Sequence, residues 1–377
     1  MTDSASQTQL KTKRQPAVEQ TVATRSTRRG AFMRAIEGYL YIAPTLIVLM
    51  AFVFIPIVSA FRLSLNRAAP FGSGTRFVGL ENYQRLLDNM FNLGGISNAL
   101  IPILVVLGVG VGLAGIASVR RKEPILSYRG YYQGLIGLSV LILIWAVTDG
   151  ALLTSLIFTV GTVIPGIALS VVLAIALSIP VRYFSWSHRL LIFVPIVISS
   201  AVTGVLFRWI YHPVVGYINY MLTFVGIDGP NWLSDADWAL IAVMGAVVWR
   251  QLGFNVIIAL AGLQNINSTF YEAAKVDGAN FWDRVRHVTI PLLSPTLFFL
   301  FIINTINSLQ VFGEIDTLTQ GGPGQATRTL LYDIYFLAFR GTPQRGIASA
   351  ESFLLFVLIV LLSIIQFRVA NRRVHYQ

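Results

Sequence analysis

The sequence has no cysteine, which excludes disulfides, thiolate metal sites and a thiol nucleophile. Histidine is nearly as scarce, and His188, His212, His287 and His375 lie too far apart for a metal-binding spacing. No G-x-x-x-x-G-K-[ST] phosphate cradle occurs; Gly321-Gly322-Pro323-Gly324 lacks the lysine and the helix that must follow it. No nucleophile, base and acid are spaced for catalysis, so the chain reads as a non-enzyme with no cofactor of its own. Charge is sparse as well. Only 12% of residues are charged against 55% hydrophobic, and the mean hydropathy of +0.68 is far from a soluble globular balance. Acidic residues number 17 against 28 lysines and arginines, a net charge of +11. A basic chain of this kind invites a nucleic-acid reading, but membrane proteins concentrate Lys and Arg on cytoplasmic loops, and that reading is preferred here.

What is abundant is apolar sequence in long runs. Runs at 38–64, 98–119, 133–148, 151–177, 190–210, 239–263, 292–312 and 348–369 approach the roughly 20 residues that cross a bilayer as helix. The expected fold is an all-α polytopic membrane protein with about eight transmembrane helices. Residues 1–35 form a polar tail made basic by Lys11, Lys13, Arg14, Arg25, Arg28, Arg29 and Arg34, with too little apolar material for a core. The tail is expected in the cytoplasm, where it can also meet anionic membrane lipid. Residues 36–97 hold the first helix and an external segment in which Tyr83, Leu86 and Leu87 share an interfacial face. Arg120, Arg121, Lys122 and Arg129 place 120–132 in the cytoplasm, between the two helices of a hairpin, 98–148. Arg182, His188 and Arg189 mark another cytoplasmic turn. Residues 212–237 and 314–345 then fall outside, and Arg368, Arg372 and Arg373 keep the terminus, 372–377, inside. Both chain ends are thus cytoplasmic. Within 151–177, Pro165 is positioned to kink the helix, and Gly161 and Gly166 permit close helix approach.

One polar stretch, 269–295, interrupts the apolar pattern. Thr269 with Glu272 three residues on reads as a capping box opening a short helix whose Phe270, Ala273 and Ala274 share a face. Asp277-Gly278 is a turn signal, Asn280 can cap a second short helix carrying Trp282 and Val285 on one face, and Pro291 suits a first helical turn.

The order Glu272-Ala273-Ala274, Asp277-Gly278-Ala279, Ile290-Pro291-Leu292 and Pro295 resembles the EAA loop of ABC importer permeases. Gly79-Leu80-Glu81-Asn82-Tyr83, Gly253-Phe254-Asn255, Leu263-Gln264 and Gly321-Gly322-Pro323 resemble the carbohydrate, maltose-permease branch of that family. The resemblance covers roughly 38–90 and 150–371. It implies a permease core over 149–371, with 98–148 as an addition to the usual six helices. It implies that Glu272, Ala273, Ala274, Asp277 and Gly278 belong to a coupling helix that docks on a separate ATPase subunit, where ATP and Mg are bound. A second permease subunit, two ATPase copies and an extracytoplasmic solute-binding protein are the partners it implies, in the cell membrane. Glu272 can serve as a capping residue alongside that role.

Polar groups inside the predicted spans are costly and need a cavity or a partner. Asn304, Asn307 and Ser308 share a helical face with Gln310 near its edge, and amides and hydroxyls suit sugar hydroxyls. The family resemblance also places substrate contacts on this helix. Hydrogen bonding to a neighbouring helix explains the same residues. Trp249, Arg250, Gln251 and Asn255 form a second cluster; Arg250 needs a partner, with Glu314 and Asp316 available, and Trp249 can stack on a sugar or simply pack.

The reading is therefore a permease subunit of an ATP-driven importer for a sugar or sugar-like solute. An ion-driven secondary transporter calls for a buried coupling carboxylate, and acidic residues in the predicted spans look nearly absent, Asp149 lying at a helix end. A membrane-embedded enzyme lacks a catalytic constellation, and a mere scaffold leaves the EAA pattern without purpose.

Overall fold

The computed structural model describes residues 28–69, 74–91, 148–178 and 185–370, with isolated positions between 100 and 146. The expectations for the tail up to residue 27, for nearly all of the 98–148 hairpin, for the turn residue Arg182 and for 372–377 lie outside the described residues. The chain divides into a unit ending at Val58 and a second from Ser59 onward. The described residues of the first unit are helical: α1 (Arg28–Leu49) runs through a π-helical turn, Met50–Phe54, into α2 (Ile55–Ser64).

The second unit continues with a short antiparallel pair, β1 (Asn66–Ala68) and β2 (Thr75–Phe77), in which Arg67 faces Arg76. α3 (Glu81–Met90) follows. Its buried face is Asn82, Leu86 and Met90, spaced by one helical turn each, while Leu87 is exposed; the expected face of Tyr83, Leu86 and Leu87 is rotated accordingly. The reason is Asn82, whose amide donates to the carbonyls of Ser64 (2.8 Å) and Asn66 (3.0 Å) and so turns inward.

The core is made by α4 (Gly150–Ser178) and α8 (Ala236–Gln264), each long and apolar enough to cross a bilayer, as are Gly38–Ser64 and Arg345–Arg368. α4 packs against α8 along Gly161 and Gly166: a Cβ at Gly161 would meet Met244 Sδ at 2.5 Å. α4 runs through Pro165 as one helix. The 190–210 run, expected as one span, is broken. α5 (Ser185–Val197) and α6 (Ser200–Ile210) meet at 116°. Ser199 takes an extended conformation and its hydroxyl accepts from Val202 N at 3.4 Å, so the run contains its own cap and restarts there.

α7 (Tyr217–Thr223) leads to α8. After α8 come α9 (Ser268–Val276), α10 (Phe281–Arg284), a π-helical turn Val285–Thr289, α11 (Ile290–Leu292) and α12 (Ser294–Leu309). Phe281–Leu292 and Ser294–Leu309 are bent by 65°, with Pro295 opening the second. α13 (Gly313–Leu318), α14 (Leu330–Phe339) and α15 (Arg345–Ala370) complete the unit. α13 lies close on α6, where a Cβ at Gly204 would overlap Thr317 and one at Gly313 would overlap Ser200. The described residues thus hold four helices long and apolar enough to span, or six if each bent pair is one; the other two of the expected eight fall on 98–148, nearly all of it outside the described residues.

Acidic residues are less absent from the spans than the sequence suggested. Glu351 lies inside α15 and is fully buried, a consequence of its position on the helix face that packs against α14. It faces Asp333, whose charge is already engaged by Arg328.

Candidate functional site

A cavity of about 490 Å³ opens where the broken α5–α6 run meets α8, α12 and the start of α13. Its polar lining is Ser200, Arg250, Gln251, Asn304, Asn307, Gln310 and Glu314, and its apolar lining includes Ile196, Phe254 and Phe312. The break at Ser199 brings Ser200 there, and the end of α12 at Leu309 lets the chain turn so that Gln310, Gly313 and Glu314 close one side. Arg250 Nε donates to Glu314 Oε1 at 2.5 Å, which selects Glu314 over Asp316 as its partner. Glu314 is 1% exposed whereas the Arg250 side chain keeps 29% of its surface.

The polar face of α12 divides between two tasks. Asn304 is buried and exchanges amide hydrogen bonds with Asn255: it donates to Asn255 Oδ1 at 2.9 Å and accepts from Asn255 Nδ2 at 3.2 Å. It also donates to Leu300 O at 2.7 Å, leaving only an edge towards the cavity. Ser308 is buried against the Thr162 hydroxyl of α4, a partner the sequence did not single out. Asn307 and Gln310 are exposed and line the cavity. Trp249 is not among the lining residues. It packs edge-on against Phe207, ring centroids 5.3 Å apart, within the cluster of α4, α6 and α8. Asn255 likewise stands behind the cavity. Gln251, a member of the second polar cluster, lines the cavity, as does Ser200, which the sequence showed only as a polar position in an apolar run.

The polar stretch forms a second site. Asn267, and not Thr269, caps α9: its side chain accepts from Thr269 N at 3.0 Å, so the helix starts at Ser268 and Glu272 is free of any capping duty. Asparagine is the stronger cap and stands two residues earlier, which removes the Thr269 capping box. Asn280 caps α10 as expected, in a reciprocal box with Asp283: Asp283 N donates to Asn280 Oδ1 at 3.0 Å and Asn280 N to Asp283 Oδ2 at 3.2 Å. Between them Gly278 has φ of +79° in open space, a left-handed turn that glycine adopts without strain. Glu272, Ala273, Asp277 and Gly278 are exposed and Ala274 is half-buried. Exposed apolar groups surround them: Phe270, Val276, Phe281 and Trp282. The stretch is tied down from beneath by Tyr271 and Thr289, whose hydroxyls are 3.2 Å apart. It is a preformed, partly apolar knob.

No group of three or more His, Cys, Asp or Glu among the described residues is arranged to hold a metal.

Residues 151–375 match the family described as the inner membrane component of binding-protein-dependent transport systems. The lactose transport system permease protein of Rhizobium radiobacter is 38% identical over 227 residues, 59% of this chain and 76% of that protein. An sn-glycerol-3-phosphate permease protein of Agrobacterium fabrum is 30% identical over 348 residues, 92% of this chain and 98% of the relative. A trehalose/maltose permease protein of Thermococcus litoralis is 30% identical over 355 residues, with the same coverage of 92% and 98%. Among solved structures, a chain of a bacterial alginate ABC transporter, in complex with an alginate-bound periplasmic protein, superposes with a TM-score of 0.65 at 19% identity. The match covers 91% of this chain and 96% of that one.

Proposed function

The chain belongs to the family of inner membrane components of binding-protein-dependent transport systems, and from that premise we propose that it forms half of the pathway of an ATP-driven importer for a sugar or sugar-like solute. The observation that carries the solute class is the cavity with its amides and hydroxyl, Gln251, Asn307, Gln310 and Ser200, beside the edge of Asn304. Such groups both donate and accept, and each exchanges with a solute hydroxyl for about 0.5–1.5 kcal/mol net. A site assembled from a few of them binds weakly and releases its solute, which suits a system in which an extracytoplasmic binding protein supplies the affinity.

Glu272, Ala273, Ala274, Asp277 and Gly278 act on this reading as the coupling segment for an ATPase subunit, present in two copies and holding ATP and Mg. The exposed Phe270, Val276, Phe281 and Trp282 support it, because they leave an apolar surface at a point that is otherwise polar. A second permease subunit completes the pathway. Loops 120–132 and 264–288 face the cytoplasm with both termini, and 212–237 and 314–345 face outward.

The test is Asn307→Ala in the assembled importer. Uptake of a panel of sugars should change in rate or in relative preference, with complex stability and basal ATP hydrolysis retained. Loss of stability with unchanged relative uptake would assign Asn307 to structure and sink the pathway role. Co-purification of an ATPase with the wild-type chain, lost in Gly278→Asp, checks the coupling role separately.

A further inference from the structure

The cavity contains one cation and one anion, and they are bound to each other. Of its lining residues only Arg250 and Glu314 ionise, and Arg250 Nε meets Glu314 Oε1 at 2.5 Å. Every other polar group on the wall is an uncharged amide or hydroxyl. The relatives are named for solutes of both kinds, lactose and trehalose/maltose on one side and glycerol 3-phosphate on the other, so similarity does not choose between them. Electrostatics does. A lone arginine beside a narrow pathway would attract anions strongly in a medium of low polarity. Paired at hydrogen-bond distance, its field is largely cancelled beyond a few ångströms. A phosphorylated or carboxylated solute would then shed its water with no net countercharge to replace it, whereas an uncharged polyol exchanges water for amides at little cost.

We infer that the Arg250–Glu314 pair sets the charge selectivity of this subunit's half of the pathway, holding it neutral so that uncharged polyhydroxylated solutes pass and anionic ones are disfavoured. This rests on the reading of the cavity as the pathway.

The absence of native cysteine makes the field measurable. Asn307→Cys is introduced into the complete importer in vesicles. It is labelled with thiosulfonate reagents carrying a sulfonate, a trimethylammonium or no charge, each rate being normalised to a free thiol. With the pair intact the three rates should agree within about threefold. Glu314→Gln leaves Arg250 unpaired and should favour the anionic over the cationic reagent by roughly tenfold; Arg250→Gln should do the reverse. A strong anionic preference with the pair intact, or a ratio unmoved by Glu314→Gln, overturns the inference. Should either single variant fail to assemble, protection decides it with the pair unaltered. Lactose, trehalose, maltose or glycerol should slow labelling of Asn307→Cys, and glycerol 3-phosphate or glucuronate should not. Protection by the anions equal to that of the neutral probes overturns it. If Asn307→Cys reacts with none of the reagents while an exposed control at Val214 does, the pathway reading itself fails, and the inference with it.

Discussion

Asn304 and Asn307 are the same residue type three positions apart on one helix, yet one is spent on Asn255 and the other faces the cavity. Helical spacing puts both on the same side of α12, and that much was legible. Which of them meets a neighbour was not, because it depends on where α8 presents Asn255, 49 residues away. The Asn255–Asn304 exchange carries its own prediction. Asn255→Ala strands a buried amide and should cost about 1–3 kcal/mol, read as a lower Tm of the purified complex. The double change Asn255→Leu with Asn304→Leu should recover most of that loss, since no buried polar group is then left over. If the double variant is as unstable as the sum of the singles, the pair is not what holds α8 to α12. Glu351 is the residue that sequence reading passed over. It stands in an otherwise apolar run, fully buried beside Asp333, while Arg328 already pairs with Asp333. Glu351→Gln keeps the shape and puts a permanently neutral group beside Asp333, so the expected Tm is unchanged or higher. A fall of several degrees would mean that the carboxyl is required there.

At the scale of elements, what composition controls was readable and what geometry controls was not. The long apolar helices α4, α8 and α15 stand where hydropathy puts them. The break at Ser199 was hidden, because an apolar run with Pro195 and two serines reads as a span until the 116° bend is seen. In the 269–295 stretch the second cap, Asn280, followed from sequence, whereas the first moved to Asn267. The turn between them yields a prediction. Gly278 occupies the left-handed region, where a β-carbon costs about 1–2 kcal/mol even in open space. Gly278→Asn should couple better than Gly278→Asp: both side chains tolerate that region comparably, and the aspartate adds a charge on an exposed knob. Uptake and ATPase co-purification should fall in the order glycine, asparagine, aspartate with membrane levels constant. Equal transport by all three would remove the turn from the coupling mechanism.

The whole molecule poses the question of sidedness, which length and hydropathy alone leave symmetric. The described helices cross a bilayer equally well in either orientation. What breaks the symmetry is the distribution of arginine and lysine, an energetic preference of insertion and not of the folded state. Part of that basic charge, Lys11, Lys13, Arg14 and Arg25 in the tail and Arg120, Arg121, Lys122 and Arg129 in the 98–148 stretch, lies outside the described residues, so sidedness rests partly on other stretches than the fold. Single cysteines can report sidedness provided burial does not mask the answer, and the structure supplies positions where it cannot. Val214, in the stretch expected outside, is 83% exposed, and Val276, in the coupling stretch, is 88% exposed. An impermeant maleimide should label Val214→Cys in intact cells. It should reach Val276→Cys only after permeabilisation, and more readily still once the ATPase has been stripped away, if that surface is its dock. Labelling of Val276→Cys in intact cells, with Val214→Cys silent, would invert the protein in the membrane. The knob would then face the binding protein's side, and ATP hydrolysis could not reach the cavity by the route proposed here.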